Sequence, residues 1–238
     1  METLAGYQVD CHAFLGDVGV PPALLLVNDG EMLEEMLPAL AEGLRGLPPF
    51  ILAGVCPRNR DGEYSPWPME PVFRGGGAFS GGADGYVERL VSQLLPLLRE
   101  RYGLEECPAR TGILGYSLGG LAALYAAYRT DAFGLVGSLS SSLWFAGWEE
   151  FACGRPLRAE NPRVFFSLGK REPMSRNPVL AAVGKATERT AAALEGQAQV
   201  RFVWEEGGHF GDVSPRFVQA IRWLLGGENG EEGRDALG

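Results

Sequence analysis

A series of short apolar runs, separated by amphipathic stretches, limits the folds open to this chain more than any other feature. Residues 23–27 are continuously apolar and stop at Asn28-Asp29-Gly30, a turn signal. A strand apolar on both faces belongs inside a parallel sheet covered on both sides. Residues 31–44 follow with Met32, Leu33, Met36, Leu37, Leu40 and Leu44 at spacings of mostly three and four, the stripe of an amphipathic helix. Residues 50–55, 111–115, 135–139, 163–168 and 200–204 read as further strands. Residues 86–102, 118–128, 179–194 and 216–225 read as helices. This alternation predicts an α/β fold with a mainly parallel central sheet and helices on both faces. Residues 7–15 are expected as an antiparallel edge piece. The length of 238 residues suits one domain over 1–225, with a polar tail at 226–238 expected to fray. Residues 56–85 are rich in Gly, Pro and aromatics and too long for a routine connection, so a functional loop or lid is expected there.

Charge and cysteine usage remove several function classes. The formal net charge is −9, which repels polyphosphate and argues against nucleic-acid binding. No apolar stretch approaches the roughly 18 residues of a membrane span, and the N-terminus lacks the pattern of a secretory signal. Cys11, Cys56, Cys107 and Cys153 are too dispersed for a metal finger. They are expected as buried free thiols in a reducing cytoplasm. The Gly-rich run 75–85 lacks the Gly-Lys-Ser/Thr ending of a phosphate loop.

The chemistry is concentrated in Gly115-Tyr116-Ser117-Leu118-Gly119. A predicted strand runs into this G-x-S-x-G and a small-residue helix leaves it, the context of a nucleophile elbow. Ser117 is the candidate nucleophile. A serine hydroxyl needs a base, and the chain offers two histidines. His12 lies on the predicted edge strand, whereas His209 follows a late strand, where the chain order Ser, acid, His places the base. Glu172, just after strand 163–168, is the candidate acid; Asp131 and Asp212 are the fallback acids. Two backbone N–H groups are needed for the oxyanion. Leu118, after the nucleophile, and Glu31, in the turn after the first core strand, are the candidates.

These residues resemble the esterase family that includes esterase D, the enterochelin esterases and the mycolyltransferases. The resemblance is carried by Val27-Asn28-Asp29-Gly30, Arg60-Asp61-Gly62-Glu63-Tyr64 with Pro66, Gly115–Gly120, Ser138–Ser141 with Trp144, Gly169–Glu172 and Glu206–His209. It implies an α/β-hydrolase fold, cleavage of esters or thioesters of small molecules, and no cofactor or metal. Transfer of the acyl group to an alcohol, or a binding module that has lost catalysis, are the alternatives on the same scaffold. One departure stands out: the turn reads Asn-Asp-Gly where Leu-Asp-Gly is commoner. Arg60, Tyr64, Tyr116 and Trp144 are candidate substrate contacts; for the Arg60–Tyr64 segment the other reading is that it pins the long loop. Nothing in the sequence sets an oligomeric state.

Overall fold

A computed structural model describes residues 1–15, 19–72 and 76–226. Its strands are β1 (Glu2–Leu4), β2 (Tyr7–Phe14), β3 (Ala23–Asn28), β4 (Phe50–Cys56), β5 (Pro68–Met69), β6 (Phe79–Ser80), β7 (Thr111–Tyr116), β8 (Leu135–Leu139), β9 (Arg163–Gly169) and β10 (Gln199–Glu205). All but β5 and β6, which pair as a separate ribbon, join one sheet in the order β1-β2-β4-β3-β7-β8-β9-β10. β1–β2 and β2–β4 are antiparallel; every other pair in this sheet is parallel. The expected α/β fold is therefore present. The antiparallel piece is β2, but the edge beyond it is β1, whose three residues are too few to carry a pattern.

The helices are α1 (Leu33–Gly43), α2 (Arg60–Glu63), α3 (Ala83–Arg89), α4 (Leu95–Tyr102), α5 (Leu118–Arg129), α6 (Trp148–Cys153), α7 (Pro178–Ala181), α8 (Val183–Leu194) and α9 (Ser214–Gly226). A π turn at Leu90–Leu94 links α3 to α4, within what the periodicity reads as one helix. Side chains on a strand alternate between faces, which explains the continuous apolar runs. Leu24 and Leu26 of β3 enter the core under α3, α4, α5, α6 and α8, while Leu25 and Val27 enter the opposite core under α1 and α9. Ile51, Ala53 and Val55 of β4 divide from Phe50 and Leu52 in the same way. Each leucine, isoleucine, valine and phenylalanine among them contributes roughly 1.5–3 kcal/mol by leaving water, so both faces hold the central strands in register.

The cysteines are all free, yet none is fully buried: Cys11, Cys56 and Cys107 are half-buried and Cys153 is exposed. Cys56 and Cys153 close their elements, and Cys107 lies in a connection. The expectation of buried thiols is corrected accordingly. No helix among the described residues is long and apolar enough to cross a membrane. Of the expected tail, Gly226 closes α9 and 227–238 lie outside the described residues.

Candidate active site

Ser117 sits where β7 meets α5, with φ 57° and ψ −123°. Positive φ is costly for a residue with a Cβ, about 1–3 kcal/mol, and persists only where the surroundings over-determine it. Here they do. The Ser117 N–H donates to the Leu139 carbonyl at 3.0 Å, and the Ser117 carbonyl accepts from the N–H groups of Gly120, Leu121 and Ser142 at 3.0–3.1 Å. A Cβ on Gly115 would run into the Gly119 carbonyl, and one on Gly120 into Ser141, so the turn closes only with glycine at both places. Ser117 is half-exposed between a buried strand and a helix buried from Leu118 to Tyr128, and its hydroxyl reaches the cleft.

The two partners arrive from later crossovers. His209 Nε2 lies 3.0 Å from Ser117 Oγ, and His209 Nδ1 lies 2.8 Å from Glu172 Oε2. The imidazole is partly exposed (29% of the side chain), whereas the Glu172 carboxylate is nearly enclosed (5%). Burial alone would raise the Glu172 pKa. Hydrogen bonds from His209, from Ser140 Oγ at 2.7 Å and from the Gly169 N–H at 2.8 Å outweigh burial and hold it below the ordinary value. The fallback acids stand elsewhere: Asp131 is exposed behind α5, and Asp212 accepts from the N–H and hydroxyl of Ser214 at the start of α9. His12 bonds Asp10 on β2 at 2.7 Å and takes no part.

Arg216, a residue the sequence reading passed over, backs this constellation. It is 7% exposed on α9. Its Nη1 donates to Ser140 Oγ, to Tyr116 Oη at 3.1 Å and toward Glu172 Oε1 at 3.4 Å; its Nη2 donates to the Gly208 carbonyl at 2.9 Å. One guanidinium thus holds the acid and the backbone that carries His209. In the sequence it looks like an ordinary helix arginine, and only a helical wheel facing it inward would have drawn notice.

The turn after β3 lies against the elbow. A Cβ on Gly119 would meet Asp29 Oδ2 at 2.9 Å and Asn28 Cβ at 3.1 Å. Asn28 donates to the Gly119 carbonyl at 2.7 Å and accepts from Tyr86 Oη at 2.6 Å. The unusual Asn-Asp-Gly turn therefore ties the strand end to the elbow helix, which a leucine could not do. Asp29 has φ 57°. Its buried carboxylate receives Arg60 Nε and Nη2 at 2.7 and 2.8 Å, and its N–H donates to Tyr64 Oη at 2.9 Å. Burial raises the Asp29 pKa, and Arg60 pulls it back.

A cleft of about 470 Å³ opens above Ser117, lined by Ser140, Ser142, Trp144, Arg171, Glu172, Met174, Ser175, Leu180, Val183, His209 and Phe210. Of the candidate substrate contacts, Trp144 is in this wall. Tyr64 is fully buried beneath the Asp29 turn, and Tyr116 spends its hydroxyl on the His209 carbonyl at 2.6 Å, so both are corrected to scaffold residues. Arg60, though partly exposed, is a bidentate partner of Asp29 and does not line the cleft. Nor does any described residue of 56–85. That segment is anchored by α2, by the β5–β6 ribbon and by Trp67 Nε1 donating to the Ala146 carbonyl at 2.8 Å. Among the described residues the wall comes from 140–144, 171–183 and 209–210, and of the expected lid segment Phe73, Arg74 and Gly75 lie outside the described residues.

The model of the family described as "Putative esterase" matches residues 18–211. The chain belongs to this family. It is an ester hydrolase, and strands β3 to β10 together with Ser117, Glu172 and His209 lie within the matched span. The uncharacterized protein YbbA of Bacillus subtilis is 27% identical over 219 residues, 88% of each chain. Among solved structures, an IroE-like serine hydrolase from Shewanella oneidensis superposes with TM-score 0.72 at 20% identity, over 92% of this chain and 80% of that one. The siderophore hydrolase EstA from Aspergillus nidulans gives 0.70 at 18% identity, covering 92% and 90%. The enterobactin esterase FES from Shigella flexneri, solved with 2,3-dihydroxy-N-benzoyl-serine, gives 0.67 at 24%, covering 92% of this chain and 55% of that longer one. At these identities the structures attest the shared α/β-hydrolase fold.

Proposed function

We propose that this esterase cleaves small carboxylic esters through a Ser117–His209–Glu172 triad and an acyl-enzyme. The observation that carries the reading is the continuous chain of two hydrogen bonds, 3.0 and 2.8 Å, from Ser117 Oγ through His209 to Glu172 at the floor of the cleft. His209 Nε2 takes the Ser117 proton as Oγ attacks the substrate carbonyl. Glu172 fixes the ring so that Nε2 faces the serine and stabilises the imidazolium formed. The oxyanion is assigned to the N–H of Leu118, at the positive end of α5, and to that of Glu31, in the turn held against Gly119. His209 then returns the proton to the departing alcohol, and a water activated by the same nitrogen releases the acid. No cofactor enters any of these steps.

The Asp29–Arg60 pair acts at a distance from the reacting atoms, by holding the turn that presents Glu31. Arg60→Met leaves Asp29 buried and unpaired, a change that costs roughly 3–5 kcal/mol in a buried pair and less where, as here, the arginine is 40% exposed. The expected result is a lowered Tm together with a fall in kcat of about tenfold or more, since one oxyanion donor is worth about 10²–10³ when lost outright. Unchanged kcat in a destabilised Arg60→Met protein would remove Glu31 from the oxyanion site.

The apolar side chains of Trp144, Leu180 and Val183 give the acyl group a dry wall. A panel of p-nitrophenyl esters from acetyl to decanoyl is expected to show a chain-length optimum set by that wall. With an added alcohol the free acid should remain the main product; a dominant transesterified product would make the enzyme an acyltransferase. The siderophore hydrolases among its structural neighbours make trilactone and catecholate esters the specialised substrates to try next. The free thiols fit a reducing cytoplasm.

A further inference from the structure

We infer that Arg171 selects esters whose departing alcohol carries an anionic group. This inference rests on the triad reading and deepens it. Lys170 and Arg171 follow β9 side by side, but their surroundings differ. Lys170 pairs with Glu206. Arg171 is exposed, lines the cleft, and has no ion pair or side-chain hydrogen bond among the described residues. The other charges on the cleft wall cancel internally, since Glu172 is bound by His209 and approached by Arg216. In a chain of net charge −9, the cleft is therefore left, among the described residues, with one uncompensated guanidinium. A guanidinium offers a planar fork of donors that matches a carboxylate or phosphate.

Its place in the cleft decides which part of the substrate it meets. The Arg171 N–H donates to the Gly207 carbonyl at 2.9 Å, and a Cβ on Gly207 would come within 3.7 Å of Arg171 Nη2. Gly207 and Gly208 lead directly into His209. The guanidinium thus stands on the histidine's side. His209 must hand its proton to the leaving oxygen, so the departing alcohol lies on that side too. Met174 and Phe210, which are 74% and 95% exposed, flank the same mouth and would cover the carbon skeleton between ester and anion.

The test compares 4-butyryloxybenzoate, whose leaving phenol carries a carboxylate, with its neutral methyl ester, and adds p-nitrophenyl hemisuccinate, whose charge is on the acyl part. Relative to wild type, Arg171→Gln is expected to lower kcat/KM for the benzoate about tenfold, the size of a lost charge-assisted hydrogen bond. The neutral ester and the hemisuccinate should stay within about twofold. Arg171→Lys should keep most of the preference, and rising salt should erode it for the benzoate alone. Equal losses on all three esters, or no change on the benzoate, would overturn the inference. So would a loss confined to the hemisuccinate, which would put the anion on the acyl side. Wild-type enzyme that cleaves p-nitrophenyl butyrate but not the benzoate would overturn it as well. All of these outcomes leave the Ser117 reading standing, because that reading is tested separately, by whether esterase activity survives without the serine.

Discussion

Ser117→Ala is expected to lower kcat on p-nitrophenyl esters by roughly 10⁴–10⁶-fold while KM and Tm change little. The size of the effect follows from the role: among the described residues no other group in the cleft is both activated and aimed. Ser142 Oγ stands 3.5 Å from Ser117 Oγ, but both ring nitrogens of His209 are bonded elsewhere, to Ser117 and Glu172, and Ser142 cannot take over. Its own backbone N–H is spent on the Ser117 carbonyl. The fold should survive because alanine fits the elbow as serine does, with the same positive φ already held by bonds from Leu139, Gly120, Leu121 and Ser142. The residual rate, above the uncatalysed reaction, would measure what the oxyanion donors and the cleft supply alone.

Glu172→Gln is the second large effect, about 10³–10⁴-fold in kcat. The amide keeps the shape but loses the charge that stabilises the imidazolium, and it can present an N–H to His209 Nδ1, favouring the wrong tautomer. It also leaves Arg216 beside a neutral group in a buried setting. The pH dependence has a definite sign. The folded-state pKa of Glu172 is depressed, so its stabilisation is fully present above the ordinary glutamate value of 4.5 and is lost as pH falls through the lower folded value. In wild type, stability should decline on acidification through that window. In Glu172→Gln that contribution is missing, so thermal unfolding should be less stable at neutral pH and flatter on the acid side. An Arg216→Met companion that keeps Glu172 yet loses activity through a misplaced His209 would assign Arg216 its positioning role.

Much of this was legible in the sequence because the signals were local. The run of residues 23–27 already carried its two buried faces, and the elbow was bounded by a strand and a helix within a few residues. Ser117, His209 and Glu172, named from chain order and strand ends, are brought together at bonding distance. What escaped was non-local. Whether Arg60 faces a substrate or Asp29 depends on a contact 31 residues away, and Arg216 meets Glu172 across 44. Tyr64 and Tyr116 looked like pocket aromatics because aromatic type does not reveal which way a side chain faces. The Gly- and Pro-rich composition of 56–85 hid a short helix capped by Asn59 and a two-stranded ribbon, both too brief to show a period.

The central claim is that Ser117 is a nucleophile activated by His209, and its reactivity tests this directly. Wild-type protein is treated with a neutral fluorophosphonate, and its intact mass and peptide map are read over time. A single adduct, on the peptide carrying Ser117, that forms far more slowly in His209→Ala and not at all in Ser117→Ala is the predicted result. An adduct on another residue, or no adduct in wild type that nonetheless hydrolyses p-nitrophenyl esters, would contradict the account.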